Sequence, residues 1–422
     1  MKKKYWVVLI SLLTILFCQF NIEAKDGLIK DIGTVKSYNI YPTSSKMYLS
    51  RDGSLARPIE GKQTISLPGT YFLTTINQEG NIDIITFTIP YTALASTFRI
   101  RTTDKLDELF KGVLQTYKDE VTIYFENGRY TRDELVQLID EKLEKLVDTY
   151  PKLHYEQYSM TVYGQLHPKV TLKFKYALED KAIKSQYDTK IHEKAKEIIE
   201  EVITSKMTDY EREWAIASYL IENITYGTQK NDKEYMVWGG LIDKIAVCDG
   251  YAKSFMYLLN SVGVPTLYID GTGEGMPHAW NLVHIGDGYY HVDLTWADEE
   301  NSQIGTYYNY INETDYYMSL SHTWDKDKYP KVDNYSLLSM YPPNDLQGVY
   351  KINSKSEWDK LKKEMVKDPY KEHNIIFYQL EKNRWSLDKL LKEIVELEKT
   401  PIYYSSYYKY NGLILNYGVK NE

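Results

Sequence analysis

Two β-patterned runs hinged on a glycine turn constrain this chain more than any other stretch. The first runs His278-Ala279-Trp280-Asn281-Leu282-Val283, the turn is Gly286-Asp287-Gly288, and the second runs from Tyr289 through Asp293 to Trp296. Alternation on both sides of such a turn reads as a β-hairpin. If Gly286 and Asp287 form a two-residue loop, residue i pairs with residue 573 − i. His278 then faces Thr295, and Asp293 is its diagonal neighbour on the same side of the sheet. A register slip of two residues keeps that face, whereas a slip of one loses it. The hairpin therefore holds a carboxylate against an imidazole, where it can fix the ring tautomer and steady an imidazolium.

Upstream, Val247-Cys248-Asp249-Gly250-Tyr251-Ala252 leads into a run with apolar residues at Phe255, Leu258, Leu259 and Val262. That spacing predicts a helix closed by Gly263 and Pro265. Cys248 falls at its N-terminus, where free amides and the positive end of the dipole favour a thiolate and can receive an oxyanion. A thiol on a helix followed in the chain by His and Asp is the order of a thiol triad: Cys248 as nucleophile, His278 as base and acid, Asp293 as its orienter.

Taken singly, each residue has a plainer explanation: a cysteine as a small buried hydrophobe, a strand histidine as a satisfied core group. Their joint order and context favour chemistry. His284 and His291 lie on the same hairpin, but without a second cysteine or paired ligand spacing a zinc site with Cys248 is disfavoured. The run Gly271-x-Gly273-x-Gly275 is not followed by a helical pattern, which removes a phosphate-binding reading and leaves a mobile loop beside the cleft. Asp298-Glu299-Glu300 reads as a solvated loop, with a calcium site as its alternative. Trp280 and Tyr251 are the expected substrate contacts, and no cofactor or metal is expected.

Between about Trp214 and Trp324 the chain resembles the bacterial transglutaminase-like superfamily, related in core fold to papain-type cysteine proteases. The resemblance rests on Asn223-Ile-Thr-Tyr226, Gly240-Leu241, Val247 to Ala252, His278 to Asn281, Tyr290 to Trp296, and His322-Thr323-Trp324. It implies an α+β fold with a helix-borne cysteine packed on an antiparallel sheet that carries the histidine and aspartate. It implies the same three roles for Cys248, His278 and Asp293.

Around this centre the chain divides by pattern. Residues 1–24 carry Lys2, Lys3 and Lys4, an uncharged apolar run from Tyr5 to Phe17, and Ile22-Glu23-Ala24, the form of a secretory signal peptide. A retained anchor is the alternative; Cys18 does not indicate lipidation, because Phe17 precedes it. Residues 25–95 read as a small β-rich module, with a hairpin from Gly69 to Ile89. Residues 96–180 alternate helix and strand, and 348–420 echo them. Phe98-Arg-Ile100 answers Tyr350-Lys-Ile352, and Leu106, Asp107 and Leu109 answer Trp358, Asp359 and Leu361. Arg129-Tyr130-Thr131 likewise answers Arg384-Trp385-Ser386. Two copies of one α/β module are expected to flank a central domain over 190–340, a chance likeness of short units being the alternative. The central domain opens with helices at Ile191–Thr204 and from the capping-box pattern Thr208-Asp-Tyr-Glu211 to about Ile224.

Loss of the leader would remove three lysines and Glu23 and take the formal net charge from −8 to −10, which argues against nucleic acid as a partner. No later run is apolar enough for a transmembrane helix, so the mature chain is expected outside the cell, secreted or at a bacterial surface, with Cys248 as its lone thiol. The 41 tyrosines suit half-buried strands, or alternatively a sugar- or wall-binding face. The expected activity is attack on amide or peptide bonds of surface proteins or wall peptides through a thioester, resolved by water or by an amine. The alternative is a retired enzyme domain serving as a binding or scaffold module.

Overall fold

A computed structural model describes residues 27–42, 45–127, 130–178, 181–228, 231–286, 288–298, 310–332, 349–352, 354–366, 373–378, 384–397, 402–409 and 412–419. The leader with Cys18, the turn residue Asp287, Arg129 and the acidic pair Glu299-Glu300 lie outside the described residues.

Alternating strands build the first region: β1 (Ile29–Thr34), β2 (Tyr38–Ile40), β3 (Lys46–Arg51), β4 (Arg57–Pro58), β5 (Gln63–Ile65), β6 (Gly69–Ile76) and β7 (Ile82–Ile89). Five of them form a sheet in the order β1-β7-β6-β3-β4, and β2 pairs β5. The β6–β7 hairpin closes through Asn77, whose Oδ1 accepts from the amides of Glu79 and Asn81, each at 2.9 Å. This Asx closure fixes the register from Gly69↔Ile89 to Ile76↔Ile82.

Next come β8 (Thr97–Ile100), α1 (Leu106–Gln115), β9 (Glu120–Phe125), α2 (Arg132–Thr149), β10 (Gln157–Tyr163) and β11 (Lys169–Lys175). Helix α2 starts in a complete capping box from Thr131 and Glu134. Sheet order is β10-β11-β9-β8, with β8 parallel to β9 and the other pairs antiparallel.

The central region begins with α3 (Lys181–Val202) and α4 (Asp209–Asn223), the latter capped by the Thr208–Glu211 box. It continues with β12 (Thr225–Tyr226), β13 (Ile245–Ala246), α5 (Cys248–Ser261), β14 (Thr266–Gly273), β15 (Met276–Ile285) and β16 (Gly288–Val292). Short elements finish it: α6 (Leu294–Ala297), β17 (Ile311–Glu313), α7 (Asp315–Met318) and β18 (His322–Trp324). The sheet order is β17-β16-β15-β14-β18, antiparallel throughout, and α5 packs against β14 and β15. One apolar core joins Phe255, Leu258 and Leu259 of α5 to Trp280 and Leu282 of β15, and also to Phe72, Ile82 and Ile84 of the first sheet. The first sheet and the central domain thus share a single interior.

The chain closes with β19 (Val349–Ile352), α8 (Lys355–Met365), β20 (His373–Tyr378), α9 (Leu387–Leu397), β21 (Ile402–Lys409) and β22 (Gly412–Val419). The order β19-β20-β22-β21, with β19 parallel to β20 and the rest antiparallel, is the connectivity of β8 to β11 again.

Two local expectations are corrected. The strand after the glycine turn stops at Val292 instead of running to Trp296, because Asp293 caps a helical turn whose first residues are Leu294 and Thr295. His278 accordingly pairs with Gly271 of β14 and not with Thr295. The glycine run is not a mobile loop: β14 and β15 pair without interruption to Gly273↔Met276, closed by a turn with Glu274 at φ +47° and Gly275 at φ +79°. Two consecutive left-handed residues make the hairpin turn that matches strand twist.

Candidate active site

Cys248 is the first residue of α5, and Val247 before it makes no side-chain cap. The first-turn amides of a 14-residue helix therefore converge beside the sulfur without an internal side-chain acceptor from the cap. The helix can approach so closely because of Gly250: a Cβ there would lie 2.3 Å from the carbonyl oxygen of Glu234. That same oxygen accepts from Val247 N at 3.0 Å and holds the residue before Cys248.

His278 lies near the start of β15, and the strand is fastened to α5 by Asn281, whose Nδ2 donates to the carbonyls of Ala252 at 3.0 Å and Leu267 at 3.2 Å. One side chain thus sets the distance between the helix that carries the thiol and the strand that carries the imidazole. His278 Nε2 lies 2.7 Å from Asp293 Oδ2, both groups buried. With Nε2 engaged, Nδ1 is the ring nitrogen left for the neighbouring Cys248 thiol, which acts on the pKa of the same ring. Burial alone would lower the pKa of His278, but the bond to Asp293 and the neighbouring Cys248 outweigh it and raise it to about 9. The site therefore favours an imidazolium between thiol and carboxylate.

Asp293 uses all its acceptor capacity. Oδ1 caps α6 from Thr295 N at 3.0 Å and Trp296 N at 3.2 Å. Oδ2 receives His278 and also His322 Nε2 of β18, at 3.1 Å. Desolvation works against the charge of this carboxylate, and the two histidines overcome it and hold its pKa below the ordinary value. The ligand atoms of His278, Asp293 and His322 lie within 4.8 Å of one another and could in principle hold a metal ion. Each is already engaged in a hydrogen bond, so the cluster is complete as a proton-bearing network.

Other expectations resolve differently. Trp280 and Tyr251 cannot contact substrate as placed. Trp280 is fully buried and donates from Nε1 to His291 Nδ1 at 2.9 Å, while the Tyr251 hydroxyl reaches inward to the Ile224 carbonyl at 3.0 Å. His291 is no zinc ligand, because its Nε2 meets Asp315 Oδ1 at 2.9 Å and both ring nitrogens are used. His284 packs its ring on Tyr289. Asp298 accepts from the Tyr251 hydroxyl instead of standing in solvent. The exposed side chains beside the thiol are different ones. Tyr226 and Tyr235 are both raised in pKa by partial burial, then Tyr226 by the neighbouring Cys248 and Tyr235 by Asp249 and Cys248. Ile245 on β13 and Met276, two residues before His278, are exposed as well. His322 was legible only as part of a motif, without a role; it arrives by pairing of β18 with β14, Gly273↔His322.

A helix-borne cysteine beside an imidazole on an antiparallel sheet, with a carboxylate just past the end of the next strand, defines an α+β thiol site. A model of the transglutaminase-like superfamily matches residues 196–294, and the chain carries a domain of that superfamily. The human kyphoscoliosis peptidase is 25% identical over 167 residues, 36% of this chain and 25% of that protein. Its mouse counterpart is 23% identical over the same shares. The chain thus matches about a quarter of the length of these curated relatives. A solved structure of a TGase is 12% identical, with a TM-score of 0.23, covering 58% of this chain and 73% of the other.

Proposed function

We propose that the chain is an exported thiol enzyme that opens amide or peptide bonds with Cys248, His278 and Asp293. The observation that carries the reading is the buried 2.7 Å contact of His278 Nε2 with Asp293 on a ring whose pKa the neighbouring Cys248 helps to raise. In the reaction, the Cys248 sulfur attacks the carbonyl carbon and the carbonyl oxygen becomes an oxyanion facing the first-turn amides of α5. Collapse breaks the C–N bond, the His278 proton passes to the departing amine, and a thioester remains. Water, deprotonated by His278, then gives an acid; an amine in its place gives a transferred amide. The peptidase name of the curated relatives supports peptide bonds as the substrate class.

Tyr226 and Tyr235 are the proposed substrate rim, as exposed side chains near enough to Cys248 to feel its charge. Residues 1–24 are the proposed export signal, which would set the enzyme among surface proteins and wall peptides. The flanking modules are proposed as two copies of one unit, a reading supported by their shared connectivity.

Iodoacetamide labelling of the purified chain tests the centre. Cys248 is expected to label rapidly at pH 6, and His278→Ala to slow it at least roughly tenfold, since an unpaired thiol titrates near 8.5. Cys248→Ala is expected to abolish hydrolysis of a peptide library with an unchanged melting temperature. Labelling indifferent to His278, or an equal loss of stability and activity in Cys248→Ala, would make the cysteine structural.

A further inference from the structure

Against the triad carboxylate lies a buried titratable group that the triad does not use. His322 is 1% exposed, and its Nε2 points at the same carboxylate oxygen that holds His278. Its other nitrogen, Nδ1, is 2.8 Å from the Ser321 hydroxyl. A carboxylate oxygen can only accept, so the proton of His322 must sit on Nε2. With the proton on Nε2, Nδ1 of a neutral ring is the acceptor for the Ser321 hydroxyl, a pairing that matches this tautomer. Trp296 covers the ring with centroids 4.3 Å apart, and Trp280 meets it edge-on at 4.9 Å. The imidazole is therefore held in orientation by tilted and edge-on aromatic contacts as well as by hydrogen bonds.

We infer that His322 is a positioning residue, a second donor that keeps Asp293 ionised and aimed while His278 changes charge. The inference rests on the proposed triad and adds to it. When His278 gives up its proton to the departing amine, Asp293 faces a neutral ring inside a buried site. A lone carboxylate there would be strongly penalised. The Nε2–H of His322 and the two cap amides are then the groups that do not change during turnover, and they carry the charge across that half-cycle. The titratable groups around Asp293 and His322 come from every neighbouring element. They are Cys248 on α5, His278 on β15, His291 on β16 with Asp315 on α7, Tyr310 ahead of β17 and Tyr226 on β12. Of these, the hydrogen-bond geometry directs only His278 and His322 onto the Asp293 oxygen.

The test is the pH profile of Cys248 labelling by iodoacetamide in the full chain. His322→Phe is expected to move the acid limb up by about one pH unit, so labelling at the foot of the limb falls roughly tenfold while the plateau near neutral pH changes little. His322→Gln, which can present an amide donor near the Nε2 position, is expected to restore the limb. Ser321→Ala, a change that leaves the buried ring in place, is expected to move it the same way by less, which keeps the idea testable should the Phe variant not fold. An unmoved acid limb with His278-dependent labelling intact would overturn the role of His322 alone. A uniform drop in plateau and melting temperature without a shifted limb, or Gln behaving as Phe does, would make His322 structural. Wild-type labelling indifferent to His278→Ala would remove the triad itself, a result distinct from either.

Discussion

At the scale of single residues, Asp293 carries two tasks that can be separated. One oxygen ends the strand by capping α6, and the other holds two imidazoles. Asparagine can keep the cap with its carbonyl oxygen, but its amide then faces His278 Nε2 and forces the ring proton to Nδ1, towards the thiol. Asp293→Asn is therefore expected to fold with its cap intact, to lose the stabilisation that the charged pair gives, and to lose roughly a thousandfold or more in turnover. Asp293→Ala should lose the cap as well, about 1 kcal/mol, besides leaving both histidines without their acceptor. The linked pH effect has a definite sign. The pKa of His278 is raised from 6.5 to about 9, so the folded state holds a proton that the unfolded state releases first. The stabilisation is full below 6.5 and is lost as pH rises through about 9. Urea titrations should accordingly find the gap between wild type and His278→Ala narrowing across that window.

At the scale of elements, the hairpin was readable because a two-residue glycine turn and period-two alternation leave little freedom. The pairs from Asn281↔Val292 to Ile285↔Gly288 follow the expected register. The end of the second strand was not readable in the same way. Tyr-His-Val-Asp-Leu-Thr-Trp continues the alternation, and only the cap formed by Asp293 shows that a helical turn wins there. The glycine run misled for a tertiary reason, since nothing local shows what fills the space above Gly271 and Gly273. A Cβ on Gly271 would lie 2.3 Å from the Thr323 carbonyl oxygen, and one on Gly273 would meet Trp296 at 2.8 Å and His278 at 3.2 Å. The two alanine variants should differ accordingly. Gly271→Ala pushes backbone against backbone and should part β18 from β14, costing about 1–3 kcal/mol and displacing His322. Gly273→Ala presses on side chains only, so a smaller change in melting temperature with a larger fall in kcat is expected. Similar losses of stability and activity in both variants would mean that neither glycine acts on the site in particular. The role of His322 was hidden for a related cause: it reaches Asp293 through a strand pairing across 29 residues of sequence.

At the scale of the molecule, the helix that carries Cys248 is anchored from its far end by charges that composition could not reveal. Asp52 sits in a tight turn at φ +57° after β3, fully buried, with Lys111 Nζ of α1 at 2.8 Å and Lys152 Nζ at 3.0 Å. Lys152 also reaches Asp188 of α3 at 2.8 Å, so one carboxylate links the first sheet to the α/β module and, through that lysine, to the central domain. Beside it Asn260 of α5 accepts from Ala56 N at 2.8 Å and donates to the Gly53 carbonyl at 3.1 Å. Gly53 itself lies so near Tyr257 that a Cβ would come within 2.3 Å of its ring. Desolvation alone would neutralise Asp52; the two lysines outweigh it and keep the acid ionised. Without Asp52, Lys152 keeps Asp188, but Lys111, whose pKa burial lowers to about 7, loses the acid that holds its charge, a loss of at most about 3–5 kcal/mol. Asp52→Asn should therefore destabilise the chain by that order in urea unfolding while Cys248, at the opposite end of α5, keeps its labelling rate in the folded protein. If the first sheet and the central domain melt as one unit in the wild type and as two in the variant, the shared core of Phe72, Ile82 and Ile84 is insufficient to couple them without the charges. A single transition in both proteins would instead assign the coupling to that apolar core.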